Sequence, residues 1–245
     1  MTFLPRFHSF PCILLWLASA CLLTAQPATP ALIPLQLRLL AFQPGQATEQ
    51  AFLHDPAAPT TTGGIKAPVK SYLNHEFIPV IAAPPKLILT KSADRASLDQ
   101  PDQRLAEITL PGGLRSAVVI CLPEATGLNH SFRVLVIDDS KKAFPPGSFR
   151  VTNLSNSQVR IELEKRPWVI KPGATEMIID PPVRHGNLSG MKTFVLDGQD
   201  WRRIASGIWP HPGKERVIQL LFYHPVTKQV QLRAFDDVPP REPAP

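Results

Sequence analysis

Twenty-eight prolines spread along 245 residues restrict the fold more than any other feature of this chain. That is about twice ordinary usage. Each proline removes a backbone donor, and it either ends a helix or confines a strand to an edge or a turn. Long helices are therefore not expected. What lies between the prolines has β character: Leu35 to Phe42, Phe77 to Ile81, Lys86 to Thr90, Arg104 to Leu110, Ser116 to Leu122, Phe132 to Ile137, Ser148 to Asn153, Gln158 to Glu164, Trp168 to Lys171, Thr175 to Ile179, Lys192 to Leu196, Trp201 to Ser206, Arg216 to Tyr223 and Gln229 to Phe235. These runs have strand length, with Pro, Gly, Asn and Asp as punctuation.

Two periodicities separate the runs. In Val159-Arg160-Ile161-Glu162-Leu163-Glu164 apolar and charged residues alternate, so one face is buried and the other wet. Ala117-Val118-Val119-Ile120 and Leu220-Leu221-Phe222 are apolar on both faces and predict strands covered on both sides. Sheets with an apolar face and no helices to cover it must pack on other sheets. The predicted class is all-β and predominantly antiparallel, with two packed sandwich domains.

The halves also read as weak copies. Arg115 to Pro123 followed by Phe132 to Asp139, and Arg216 to Pro225 followed by Val230 to Asp237, share the order apolar strand, proline, turn, strand, Asp-Asp. The expected domains are 32–140 and 148–237, joined through Ser140 to Gly147, whose proline pair and glycine suit a boundary. Asp138-Asp139 and Asp236-Asp237 are read as strand-end turn residues. The segment Gln43 to Tyr72, rich in Pro, Thr, Gly and Ala, is expected to be an extended loop or wandering edge, and 238–245 a proline-rich tail.

The first 25 residues have the order of a secretory signal: Arg6 and His8, an apolar run from Cys12 to Leu23, and Ala25 as the cleavage edge. Export to the periplasm or the outside follows. The alternative ending is lipidation at Cys21, where Ala18-Ser19-Ala20-Cys21 loosely matches a lipobox and would give the membrane contact through a lipid anchor. Cleavage after Ala25 leaves Cys121 as the one cysteine, in an apolar stretch, read as a buried thiol. The formal charge of +6 is scattered, so a nucleic-acid partner is not expected.

No cofactor is predicted, and no HExxH, GxSxG, Walker or CxxC pattern occurs. Ser189-Gly190-Met191-Lys192 matches SxxK, but that chemistry needs a helix and the segment reads as a strand. The remaining catalytic alternative is a site assembled from distant residues such as His185, His211 or His224 with an aspartate. The one region with a functional slant is the aromatic second half. Trp201, Arg202, Arg203, Trp209 and His211, within WRRIASGIWPHPGK, are the candidate ligand-binding residues, since exposed indoles stack on sugar rings beside polar groups. Trp168 belongs to the same aromatic group, and core packing competes with a platform for all three rings. The expected role is a non-catalytic binding or envelope-associated module with a protein or polysaccharide partner.

The stretch SFRVTNLSNSQVRIELEKRPWVIKPGATEMIID, 148–180, resembles the opening hairpins of immunoglobulin-like and cupredoxin-like domains of secreted bacterial proteins. The resemblance covers strand order and turn chemistry, and it implies a sandwich fold without implying an activity. In outline the chain is also similar to periplasmic pilus chaperones, although the basic pair that their cleft requires has no counterpart in its sequence.

Overall fold

The computed structural model describes residues 32–73, 76–82, 86–124 and 132–238. The proposed signal, Cys21, and the tail beyond Val238 lie outside them. In chain order the first half contributes β1 (Ile33–Ala41), β2 (Phe52–His54), β3 (Ile65–Lys66), β4 (Val69–Lys70), β5 (Ile78–Ala82), β6 (Lys86–Thr90), β7 (Arg104–Thr109), β8 (Ser116–Pro123) and β9 (Phe132–Asp138). The second contributes β10 (Ser148–Asn153), β11 (Val159–Leu163), β12 (Arg166–Ile170), β13 (Thr175–Ile179), β14 (Leu188–Asp197), β15 (Asp200–Pro210), β16 (Arg216–His224) and β17 (Gln229–Asp237). Short 3-10 turns at Pro44–Gln46 and Arg95–Leu98 are the helical elements among the described residues. The fold is all-β and mostly antiparallel, as the proline pattern predicts.

Both halves use one topology. In the first, an inner sheet runs β4-β1-β8-β9 with β5 also on β1, and an outer sheet runs β3-β2-β6-β7. In the second, the inner sheet runs β13-β10-β16-β17 and the outer β12-β11-β14-β15. Leaving β4 aside, every strand of one half has a counterpart in the other, including the parallel pairs β1/β8 and β10/β16. The bulges between Leu89 and Thr90 and between Thr193 and Phe194 correspond as well.

Three apolar layers hold four sheets in a stack. One, with Leu37, Leu39, Leu53, Leu87, Ile108, Ala117 and Val119, lies between the sheets of the first half. A second, with Phe149, Val159, Ile161, Trp168, Trp209, Val217 and Leu221, lies between those of the second. The third joins the two inner sheets through Leu40, Val118, Ile120, Ile137, Ile218, Leu220 and Phe235. The two-sided runs of the sequence thus have a physical cause: β8 sends Ala117, Val119 and Cys121 one way and Val118, Ile120 and Leu122 the other. The described residues accordingly cluster as one compact unit. The connection at 140–147 is packed rather than free, with Phe144 wholly buried in the central layer and the Gly147 N–H donating to the Glu215 carbonyl at 2.7 Å.

Two expectations about local structure need correction. The segment Gln43 to Tyr72 is closer to a wandering edge than to a loop, because it carries β2 and the edge strands β3 and β4; strands of two or three residues are too short to set up a readable alternation. β14 and β15 extend well past Lys192–Leu196 and Trp201–Ser206, through Gly190, Gly207 and Pro210, which look like breakers in sequence. Their two-residue turn places Gly198 at φ 62°, where a II′ hairpin takes glycine.

Candidate functional site

The strongest concentration of charge is buried between the inner sheets. Arg38 from β1 donates to both carboxylate oxygens of Asp139 at 2.9 and 2.8 Å and to Asp237 at 2.6 Å. Arg216, at the start of β16, donates through Nε to Asp237 at 2.9 Å, through one terminal nitrogen to both aspartates, and through the other to the Asp139 and Phe144 carbonyls, each at 3.0 Å. Arg216, Asp139 and Asp237 are 0 % exposed. Burial pushes the Asp139 carboxyl above its ordinary range, and Asp237 adds to that, against the pull of Arg38 and Arg216. The second member of each Asp-Asp pair is therefore an interior ion-pair partner and not a turn residue. The first member of one pair does keep the expected role, since the Asp138 carboxylate accepts from the Ser140 N–H at 2.9 Å. With the terminal nitrogens of both arginines engaged by carboxylates and carbonyls, the cluster is a structural clamp between the halves.

The expected aromatic platform divides across its sheet. Register places Trp201 and Arg203 on the outer face of the second half's outer sheet, where the Arg160 guanidinium lies 4.8 Å from the Trp201 ring and 4.4 Å from Phe194. Arg202 sits 3.5 Å from Asp197. Trp209 faces the other way, 7 % exposed, with its ring 4.8 Å from Phe149. Trp168 is likewise in the core. The bulge after Thr193 explains the split, because it shifts the alternation along β15 by one residue between Trp201 and Trp209.

Trp209 and His211 do share a site. They line a groove of about 540 Å³ in the second half with Phe149, Ile208, Glu215, Val217, Gln219, Leu232, Ala234 and Asp236 among its other walls. The groove opens beside β15 and β17, the edge strands of the two facing sheets. His211 Nδ1 accepts the Gly213 N–H at 2.9 Å, which leaves the proton of a neutral ring on Nε2. Gln219 is 5 % exposed, and its side-chain amide makes no hydrogen bond among the described residues, its polar atoms still reaching solvent through the groove. A primary amide recessed in this way is free to bond water or a ligand entering the groove. Glu215 and Asp236 on the exposed rim add negative charge, with no lysine or arginine in the lining. Sequence reading missed all three polar groups, though Gln219 had a signal: it interrupts the otherwise apolar run Val217-Ile218-Gln219-Leu220-Leu221.

Other candidates resolve into structure. Ser189 is buried and donates to the Pro182 carbonyl at 2.5 Å, and its place in β14 puts Lys192 on the opposite face, so SxxK has no catalytic geometry. Cys121 is buried, and burial pushes its thiol up to about 12. His54 Nε2 lies 3.0 Å from both Thr90 Oγ1 and the Ser92 carbonyl under the Gly64 backbone, where a Cβ would meet the imidazole at 2.5 Å. Of the three histidines considered for an assembled site, His211 alone lines the groove; His185 and His224 do not. A second cleft of about 460 Å³ lies between the halves at the far end of the central layer, lined mainly by Phe42, Leu122, Leu154, Phe222 and Tyr223.

Fold and groove together define the class: an all-β, sandwich-like protein with a groove along one edge of its second half. Comparison with known proteins adds no relative, since no protein-family model and no curated protein matches the chain.

Proposed function

We propose that this chain is an exported, non-catalytic binding module of the cell envelope, built from two immunoglobulin-like sandwich domains at 32–140 and 148–237. The groove of the second half is its working surface. The observation that carries this is Gln219, a largely buried residue whose amide has no partner among the described residues and faces an opening also lined by Trp209, Phe149 and His211. A polar group recessed in an apolar wall, open to the groove and serving no internal bond, is what a ligand site retains. Export is supported by the leader-like order of residues 1–25. Binding in place of catalysis is supported by the lining itself, which offers no hydroxyl or thiol nucleophile and orients His211 through a backbone N–H in place of a carboxylate.

A photo-crosslinking residue placed at Ile208, on the groove, and separately at Ile81, exposed in the first half, tests the reading in the producing cell. A discrete, saturable adduct from position 208 and none from 81 is expected. No adduct at 208, combined with no retention of the mature protein on a glycan array, removes the groove as a binding site.

A further inference from the structure

The two halves differ at one edge, and that difference identifies what the groove takes. In the first half β7 runs alongside β9, and its Leu105, Ala106 and Ile108 are buried. Val134 and Val136 of β9 pack onto the same core. In the second half the corresponding strands, β15 and β17, meet over little of their length. Matching β8 to β16 and β9 to β17 by register puts Gln219 where the first half has Val119, and Ala234 where it has Val136. Smaller and polar groups thus stand where closing groups would be. The sandwich is left unsealed along β15.

β15 is also an unusual edge. It is 11 residues long, against 6 for β7, and mostly exposed. Edge strands are ordinarily guarded by charge, proline or shortness, because their free N–H and C=O groups template pairing with another chain. The run Ile204-Ala205-Ser206-Gly207-Ile208-Trp209 has neither charge nor proline, and Ile208 is 63 % exposed. β15 pairs with β14 on one side and with no strand on the other among the described residues.

We propose that the groove accepts an extended, basic polypeptide segment from a partner protein, which adds to the free edge of β15 as a further strand. Backbone pairing along 204–209 supplies most of the hold. Alternate side chains of the segment enter between the sheets, where one that can hydrogen-bond satisfies the Gln219 amide and an apolar one covers Leu232 and Ala234. Lysine or arginine on the segment meets Glu215 and Asp236, which is why the segment is basic. This rests on the reading of the groove as a binding surface and specifies its partner.

The test uses the mature full chain and random 12-residue peptides displayed on phage, with selected sequences then made as free peptides. Selected peptides are expected to be rich in lysine or arginine, to slow hydrogen exchange of the 204–209 amides, and to lose binding when alternate peptide nitrogens are methylated, since methylation removes edge donors and leaves side chains unchanged. Gln219→Val, which suits the apolar neighbours and should stay folded, is expected to weaken them roughly tenfold, the worth of one buried hydrogen bond. Three outcomes overturn the proposal: no selected peptide, binding that leaves 204–209 unprotected, or binding indifferent to N-methylation. An Ile208 adduct alongside any of these leaves the binding reading intact and removes strand addition alone. Absence of the adduct together with no retention on the glycan array removes the reading beneath it.

Discussion

One topology is used twice in this molecule, and the copies end differently. The first half closes: β7 is short and buried, β9 packs valines onto the core, and the layer between its sheets is continuous. The second half stays open along an 11-residue edge, with an amide where its counterpart has a valine. Strand order and pairing therefore do not decide whether a sandwich seals. A few inward positions on the last hairpin do, because two sheets approach only as closely as their interdigitating side chains allow. The inner sheets carry the shared burden of joining the halves, and the outer sheets are free to diverge.

The largest effect should come from breaking what the halves share. Asp237→Asn leaves Arg38 and Arg216 buried with one carboxylate between them, and removing one partner of such a buried cluster costs about 3–5 kcal/mol. Asp236→Asn, one residue away on the exposed rim, should change stability by less than about 0.5 kcal/mol. The comparison can be made half by half, since Trp168, Trp201 and Trp209 all report on the second half and the Cys121 thiol on the first. Urea unfolding followed by tryptophan fluorescence and by thiol reactivity should give coincident transitions in the natural protein. In Asp237→Asn both should move to lower urea; an unchanged midpoint means that the cluster contributes no net hold.

Exchanging the two residues that distinguish the cores sharpens the contrast. Val119→Gln introduces an amide into the closed layer, where Val119 is 0 % exposed, and should cost about 3 kcal/mol from unpaired polar burial and overpacking together. The reverse change, Gln219→Val, removes an unpartnered amide and should stabilise by about 1 kcal/mol. Equal and opposite behaviour is not expected, because the open half can admit water and the closed half cannot. If Gln219→Val destabilises instead, the amide has an internal structural role and the groove loses its main support as a site.

Much of this architecture was readable from alternation. Charged and apolar residues in 159–164 fix which face of β11 is buried, and the doubly apolar 117–120 marks a strand between two layers. The repeated hairpin ending in Asp-Asp was legible too, yet its chemistry was not. Asp138 and Asp139 look identical in sequence, and only the pleat decides that one caps a turn and the other enters the interface. The site was legible in part for a similar reason. Trp209 and His211 line the groove, while the bulge in the β14–β15 pairing sends Trp201 to the other face, and no local pattern announces a bulge of that kind. Gln219 could have been weighed as a polar intruder in a central strand. Its lack of a partner is a property of how the two facing sheets pack, which alternation alone does not encode.

The smallest expected effect separates two carboxylates by the direction of their shifts. Asp139, at the shared interface, is pushed upward by burial, so its contribution to stability is complete below the ordinary 3.8 and declines as pH rises through its folded value. Mild acid does not loosen the clamp through that residue. Glu164 behaves oppositely. It stands at φ 55° in the β11–β12 turn, accepts the Gly190 N–H at 2.5 Å and pairs with Arg184, and the backbone hydrogen bond first, then the arginine, hold it below its ordinary 4.5. Its contribution is therefore present above 4.5 and lost as pH falls through the folded value. Glu164→Gln should leave the melting temperature slightly lower at pH 7 and nearly unchanged at pH 3, so the acid-side decline becomes shallower. Because Glu164 ties β14 to the β11–β12 turn in the outer sheet of the open half, the same variant should raise hydrogen exchange there and leave the first half unaffected. Faster exchange in both halves would mean that the outer sheets communicate through the clamp and that the open edge is not an independent feature of the second half.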